Sequence, residues 1–262
     1  MGPVVLSQLY VESYGAGPPV ILVHGWGMHG GIWRKFAQQL SDDFQVICVD
    51  LPGHGNSDPI TPFTLSAVAR QLAQQIPVKS ACWVGWSLGA NVVLELVRNF
   101  PAKVSSVVLM AGNPCFAQSG IWPGMAVPDL ERFIDNAELD MKRTITRFMA
   151  LQVRGCEGYR AVLSALNRQL KERPDSDQAT LMAGLEVLRT VDQRSVLAHL
   201  AVPHLLLLGD QDPIVPIALA QAIDDGSARI SYSIVGGAGH LPFLTHESQV
   251  IAQFKKFLKE VS

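Results

Sequence analysis

The sequence predicts an α/β fold: a mostly parallel sheet flanked by helices, with a helical segment inserted into it. Three observations predict this. Short apolar runs rich in β-branched residues recur along the chain, longer amphipathic stretches separate them, and the strand-like runs vanish between 116 and 190. Apolarity that is continuous rather than alternating marks strands covered on both faces, as in a parallel sheet. Strands that alternate with helices imply crossover connections.

The strand-like runs are "PVILVHG" (19–25), "FQVICVD" (44–50), "ACWVG" (81–85), "VSSVVLMAG" (104–112), "PHLLLLGD" (203–210) and "RISYSIV" (229–235). Most end in a turn residue. Helical patterns lie in "GIWRKFAQQL" and in "LGANVVLELVRNF", which Pro101 stops. From 116 to 190, helical segments rich in Leu, Met, Arg and Glu take over, broken by the polar "ERPDSDQ". The expected organisation is therefore a core made of 1–115 and 191–262 with a helical lid insertion, 116–190.

Composition narrows the function classes. With 262 residues, 48% hydrophobic and 17% charged, the chain can build one large α/β core carrying an insertion. A formal net charge of −2 gives no reason to expect a nucleic-acid partner. No apolar run approaches the ~18 residues that span a bilayer, so no membrane partner is expected. The start has no basic stretch followed by a long apolar one, so the expectation is a cytoplasmic protein, acting as a monomer. Cys48, Cys82, Cys115 and Cys156 are scattered without a CxxC pair, which favours free buried thiols over disulfides or zinc.

The chemistry centres on "GWSLG". A G-x-S-x-G between a buried strand and a helix is a nucleophile elbow: the glycines allow a tight turn that lifts the Ser87 hydroxyl to the amino end of the helix. The alternative is an ordinary serine N-cap with glycines nearby. A serine needs a base, and His240 in the glycine-rich "VGGAGHLPF" has the right setting; His24 precedes a glycine turn and suits a structural or oxyanion-loop role. An orienting acid is expected after a strand between serine and histidine. "LLLLGDQDPIVP" offers Asp212, favoured because it lies further into the loop, and Asp210, which could instead organise the turn. The order Ser87, Asp212, His240 is the order of this arrangement. Two backbone donors should hold the oxyanion, the amides of Leu88 and of Trp26 in "HGWGMHG", each typically worth about 3 kcal/mol at the transition state. Trp26 could equally be a packing aromatic, and both roles can hold together.

Together "HGWG", "DLPGHGNS", "GWSLGA", "GDQDPIVP" and "GAGH", in this order and nearly end to end, resemble the α/β-hydrolase superfamily. Serine at 87 sets the chain apart from the dehalogenase and epoxide-hydrolase branches, which the resemblance says use aspartate there. The insertion then corresponds to a lid over the serine.

The lid is basic. Between Met141 and Arg173 stand eight bases, Lys142, Arg143, Arg147, Arg154, Arg160, Arg168, Lys171 and Arg173, against two acids, Glu157 and Glu172, a net of +6 that leaves −8 for the rest of the chain. Such asymmetry suggests an acidic partner, although a solvated helix face explains most charge runs. Arg143 and Arg147, four apart with no acid between them, share a helix face and repel. Interleaved apolar residues, among them Trp122, Phe133, Phe148, Met149 and Leu151, suit lid packing or an acyl-chain channel.

Further motifs, "GWSLGAN", "NPCF", "WPG", "RFMALQ" and "GLEVLRTVD", resemble the pimeloyl-[acyl-carrier protein] methyl ester esterase family, carboxylesterases of biotin synthesis. The resemblance implies substrate contacts from Trp26, Ser87, Leu88, Phe148, Met149, Ala150, Leu151, Gln152 and His240. It implies contacts to an acidic acyl-carrier protein from Arg143, Arg147 and Arg160, and no metal or organic cofactor. The chain departs from the family where the basic face would continue beyond Arg160: it has Ser164. A broad short-chain esterase, a C–C bond hydrolase and a non-catalytic ligand receptor of the same fold are the other readings.

Overall fold

A computed structural model describes residues 7–154, 156, 158–223 and 230–261. Seven strands form one sheet: β1 (Val11–Tyr14), β2 (Pro19–Val23), β3 (Gln45–Val49), β4 (Ala81–Trp86), β5 (Val104–Met110), β6 (His204–Gly209) and β7 (Ile230–Val235). Their spatial order is β1-β3-β2-β4-β5-β6-β7, with β1 antiparallel to β3 and all other pairs parallel. All six residues of β4 and of β6 are buried, which is why these strands read as unbroken apolar runs. The edge strand β1 is only half-buried and gives no such run. The α/β-hydrolase expectation stands.

Helices α1 (Arg34–Leu40), α2 (Leu65–Gln75) and α3 (Leu88–Asn99) connect the first strands. Between β5 and β6 lie α4 (Val127–Leu139), α5 (Met141–Gln152), α6 (Tyr159–Leu170), α7 (Gln178–Thr190) and the short α8 (Arg194–Ala198). Then come α9 (Ala218–Ile223), α10 (Pro242–Thr245) and α11 (Glu247–Val261). Side-chain caps start several of them: Thr64 accepts from Ala67 N, Asp140 from Arg143 N and Asp177 from Thr180 N.

The segment carrying α4–α7 leaves and re-enters the sheet at one place. Cys115 bridges Asp192, and Gln193 N donates to Pro114 O at 2.7 Å. Asn113 ties "NPCF" to "WPG": its carbonyl accepts from Trp122 Nε1 and its amide donates to Pro123 O. A second anchor lies beyond α6. His29 Nε2 bonds Gln169 O, and the buried Arg173 pairs with Asp50 and with Glu12.

Register sets the site. Trp86 pairs with Met110, Met110 with Leu207, and Gly209 with Val235, so the carboxyl ends of β4 to β7 form one rim. The loops after β4, β6 and β7 all open there. Below it an aromatic cluster joins helix to strand: Phe254 meets Phe36, Phe243 stacks on Trp33 at 4.1 Å, and Trp86 meets Phe243 at 5.4 Å.

Candidate active site

Ser87 occupies the single residue between β4 and α3, with φ +54° and ψ −122°. Such a backbone costs about 1–3 kcal/mol and persists only where its surroundings enforce it. The flanking glycines permit the close packing that enforces it. A Cβ on Gly85 would collide with Gly89 O, and one on Gly89 would lie 2.5 Å from Val23 O. Serines at N-caps normally turn their hydroxyl onto the first helical turn. Ser87 makes no such bond, so the capping alternative fails, and its hydroxyl has no hydrogen-bond partner among the described residues.

The acid and base loops meet at the same rim. A Cβ on Gly209 would collide with Ala238 O, and Gln211 N donates to Ala238 O at 2.9 Å. Asp212 and His240 are thereby brought together, both side chains fully buried, with His240 Nδ1 2.8 Å from Asp212 Oδ2. The other carboxylate oxygen accepts from Ile214 N and Val215 N, which fixes the acid's plane. Asp210 points elsewhere and organises the turn by accepting from Gly237 N. Because Nδ1 donates to the carboxylate, Nε2 is the free acceptor of the neutral ring. Nε2 is buried without a hydrogen-bond partner among the described residues. Trp86, next to the serine, holds this histidine: its Nε1 donates to His240 O at 2.8 Å and the rings lie 5.6 Å apart. Ser87 Oγ and Nε2 are not hydrogen-bonded; in hydrolytic sites that contact commonly tightens only with substrate bound.

The turn after β2 presses on the elbow. A Cβ on Gly25 would lie 3.0 Å from Ser87 Cβ. Leu88 is the first residue of α3, so its N–H has no partner inside the helix. The Trp26 N–H makes no hydrogen bond among the described residues. The Trp26 ring is committed to packing: Nε1 donates to Leu181 O, and Phe133 and Phe148 stand edge-on at 5.5 and 5.4 Å. The ring is thus committed, while the amide is left without a partner among the described residues.

Ser87 opens into a narrow apolar cavity of about 20 Å³, lined by Trp26, Phe116, Met125, Leu130, Phe133, Phe148, Leu151, Leu185 and Leu188. Of the five consecutive residues 148–152, Phe148 and Leu151 face it. Met149 and Gln152 are buried beside it and Ala150 is exposed, because a helix cannot turn five successive side chains to one face. Leu185 and Leu188 went unread in the sequence, although Leu181, Leu185 and Leu188 follow the helical period of a buried stripe.

The basic surface is smaller than the charge count implies. Arg173 is buried in its pairs with Asp50 and Glu12, a correction to its place in the lid's net charge. Lys142 pairs with Asp175 at 3.2 Å, and Glu157 lies outside the described residues. Arg143 and Arg147 are exposed on α5 without ion pairs among the described residues, and Arg160 bonds the Tyr159 hydroxyl. On α6 a groove of about 380 Å³ is lined by Arg160, Leu163, Ser164, Asn167, Arg168 and Lys171. Past Ser164, cations resume on the same face.

All four cysteines are free and buried, and burial raises every thiol's pKa, that of Cys82 to about 12. None offers a ready thiolate. No group of three or more His, Cys, Asp or Glu among the described residues could hold a metal ion, and no described helix is long and apolar enough to cross a membrane.

A family model described as alpha/beta hydrolase fold matches residues 18–247. A pimeloyl-[acyl-carrier protein] methyl ester esterase of Methylococcus capsulatus is 42% identical over 250 residues, 95% of this chain and 98% of its own length. One of the same name from Vibrio cholerae is 37% identical over 95% of this chain and 97% of its own. Among solved structures, an esterase from Exiguobacterium antarcticum superposes with a TM-score of 0.86 over 97% of this chain and 96% of its own; at 22% identity this likeness is one of fold.

Proposed function

The chain belongs to the alpha/beta hydrolase family and, within it, to the pimeloyl-[acyl-carrier protein] methyl ester esterases, and we propose that it hydrolyses the methyl ester of a carrier-bound pimeloyl chain. The products are methanol and the free carboxylate, still attached to its carrier. The observation that carries the reading is the buried His240–Asp212 pair at 2.8 Å beside an uncapped serine on a strained elbow.

Ser87 Oγ attacks the ester carbonyl while His240 Nε2 takes its proton. Asp212 holds the ring through Nδ1 and steadies the imidazolium. The amides of Leu88 and Trp26 receive the oxyanion. Collapse expels methoxide, which leaves as methanol with the proton from Nε2. Water then attacks the acyl-enzyme, with His240 again the base, and Ser87 is restored.

Helices α4–α7 act as the lid. Helix α5 presents Phe148 and Leu151 to the cavity and Arg143 and Arg147 to the outside, so one helix can touch the chain and its acidic carrier at once. Arg160 extends the cationic surface onto α6, where Arg168 and Lys171 border the groove. The test is a comparison of kcat/KM for pimeloyl-carrier methyl ester and for free short-chain methyl esters. A higher value for the carrier-bound ester, falling with ionic strength, supports the reading. Equal values at all salt concentrations would leave a broad-specificity esterase.

A further inference from the structure

We propose that His24 is a positioning residue for ester hydrolysis: its imidazole locks the Gly25–Trp26 peptide so that the Trp26 N–H stays directed at the oxyanion. The inference rests on the serine-esterase reading and adds a residue to it.

Gly25 carries two opposing demands. Its place against Ser87 excludes a side chain, since a Cβ would approach Ser87 Cβ to 3.0 Å. The glycine this requires is also the residue least able to fix its own backbone, so the peptide that follows it is free to rotate. In a trans peptide, C=O and N–H lie in one plane and point in opposite directions. Whatever holds the Gly25 carbonyl therefore aims the Trp26 N–H. The short hydrogen bond to that carbonyl comes from His24 Nδ1, at 2.8 Å; Met28 N approaches it only at 3.4 Å.

The ring is braced at its other end. His24 Nε2 accepts from Leu51 N at 2.9 Å, just past the end of β3. A carbonyl can only accept and an N–H can only donate, so the two contacts fix the neutral ring with its proton on Nδ1. The ring is fully buried and sits edge-on to His54 at 5.1 Å. Burial keeps its pKa well below the usual histidine value, which preserves the Nε2 lone pair that Leu51 requires. The end of β3 thus supports the ring, and the ring supports the oxyanion peptide.

The experiment uses the full-length protein, a short-chain methyl ester, and two inhibitors: an aryl trifluoromethyl ketone, which forms a tetrahedral oxyanion on serine, and the matching methyl ketone. In His24→Phe, kcat is expected to fall about 10²- to 10³-fold, the loss typical of one oxyanion donor, with KM within about threefold. The trifluoromethyl ketone should weaken by a similar factor, and the methyl ketone should not. His24→Asn, whose amide nitrogen can replace Nδ1, should recover most of the loss. If His24→Phe does not fold, His24→Ala takes its place. A folded variant with near-normal kcat, a loss confined to KM, or equal weakening of both inhibitors would overturn the proposal. Ser87→Ala serves as control: if it retains activity, the serine-esterase reading itself fails, independently of His24.

Discussion

Ser87, Asp212 and His240 stand out as candidates because each sits in a pattern: glycines around a strand–helix junction, acids after a buried strand, a histidine in a glycine-rich loop. The choice between Asp210 and Asp212 needed coordinates, since two acids two residues apart differ only in where the loop sends them. Ser87→Ala should lower kcat by about 10⁶ in a methanol-release assay, with the fold retained. The role of Gly184 was not legible at all. A Cβ there would lie 2.9 Å from Trp26 Cδ1 and 3.4 Å from Leu88 Cδ2. Alanine would favour the helix by up to about 1 kcal/mol, but overpacking costs about 1–3 kcal/mol. The Trp26 ring, held by Leu181 O and two phenylalanines, has little room to yield. Gly184→Ala is therefore expected to lower both Tm and kcat, read by thermal melts and initial rates; an unchanged kcat would detach α7 from the oxyanion turn.

Elements announced themselves in proportion to their burial. The fully buried strands β4 and β6 were plain, while β1, four exposed or half-buried residues at an edge, left no signal. In α5 the charges were visible, but the division of labour around the helix was not: Phe148 and Leu151 turn inward, Arg143 and Arg147 outward. Arg173 was misread for a similar reason. A charge count cannot tell an exposed arginine from one buried against Asp50 and Glu12. Reversal of the outward face in Arg143→Glu/Arg147→Glu should reduce kcat/KM for carrier-bound ester at least about tenfold at low salt, and leave a small free ester within about twofold. Stopped-flow rates at two ionic strengths measure this. Equal losses on both substrates would remove the carrier from this face.

Across the whole molecule, buried neutral histidines tie stability to pH. Burial lowers the His54 pKa to about 4 and holds His24 well below the usual value, while the unfolded chain titrates near 6.5. The unfolded state therefore binds more protons below about pH 6.5. Stability is at its full value above that pH and falls as pH drops towards 4, by on the order of 3 kcal/mol from His54 alone. Urea midpoints between pH 7.5 and 4.5 should trace this decline, and His54→Phe should flatten it; a midpoint constant over that range would contradict it. The same global arrangement, one rim gathering three loops, underlies the catalytic claim. Its most direct test is labelling with an active-site-directed fluorophosphonate, followed by peptide mass spectrometry of the native protein and of His240→Ala. The expected result is stoichiometric modification of Ser87 in the native protein, with loss of esterase activity in step, and little labelling in the variant. Modification at another residue, or undiminished hydrolysis by a fully labelled protein, would contradict it.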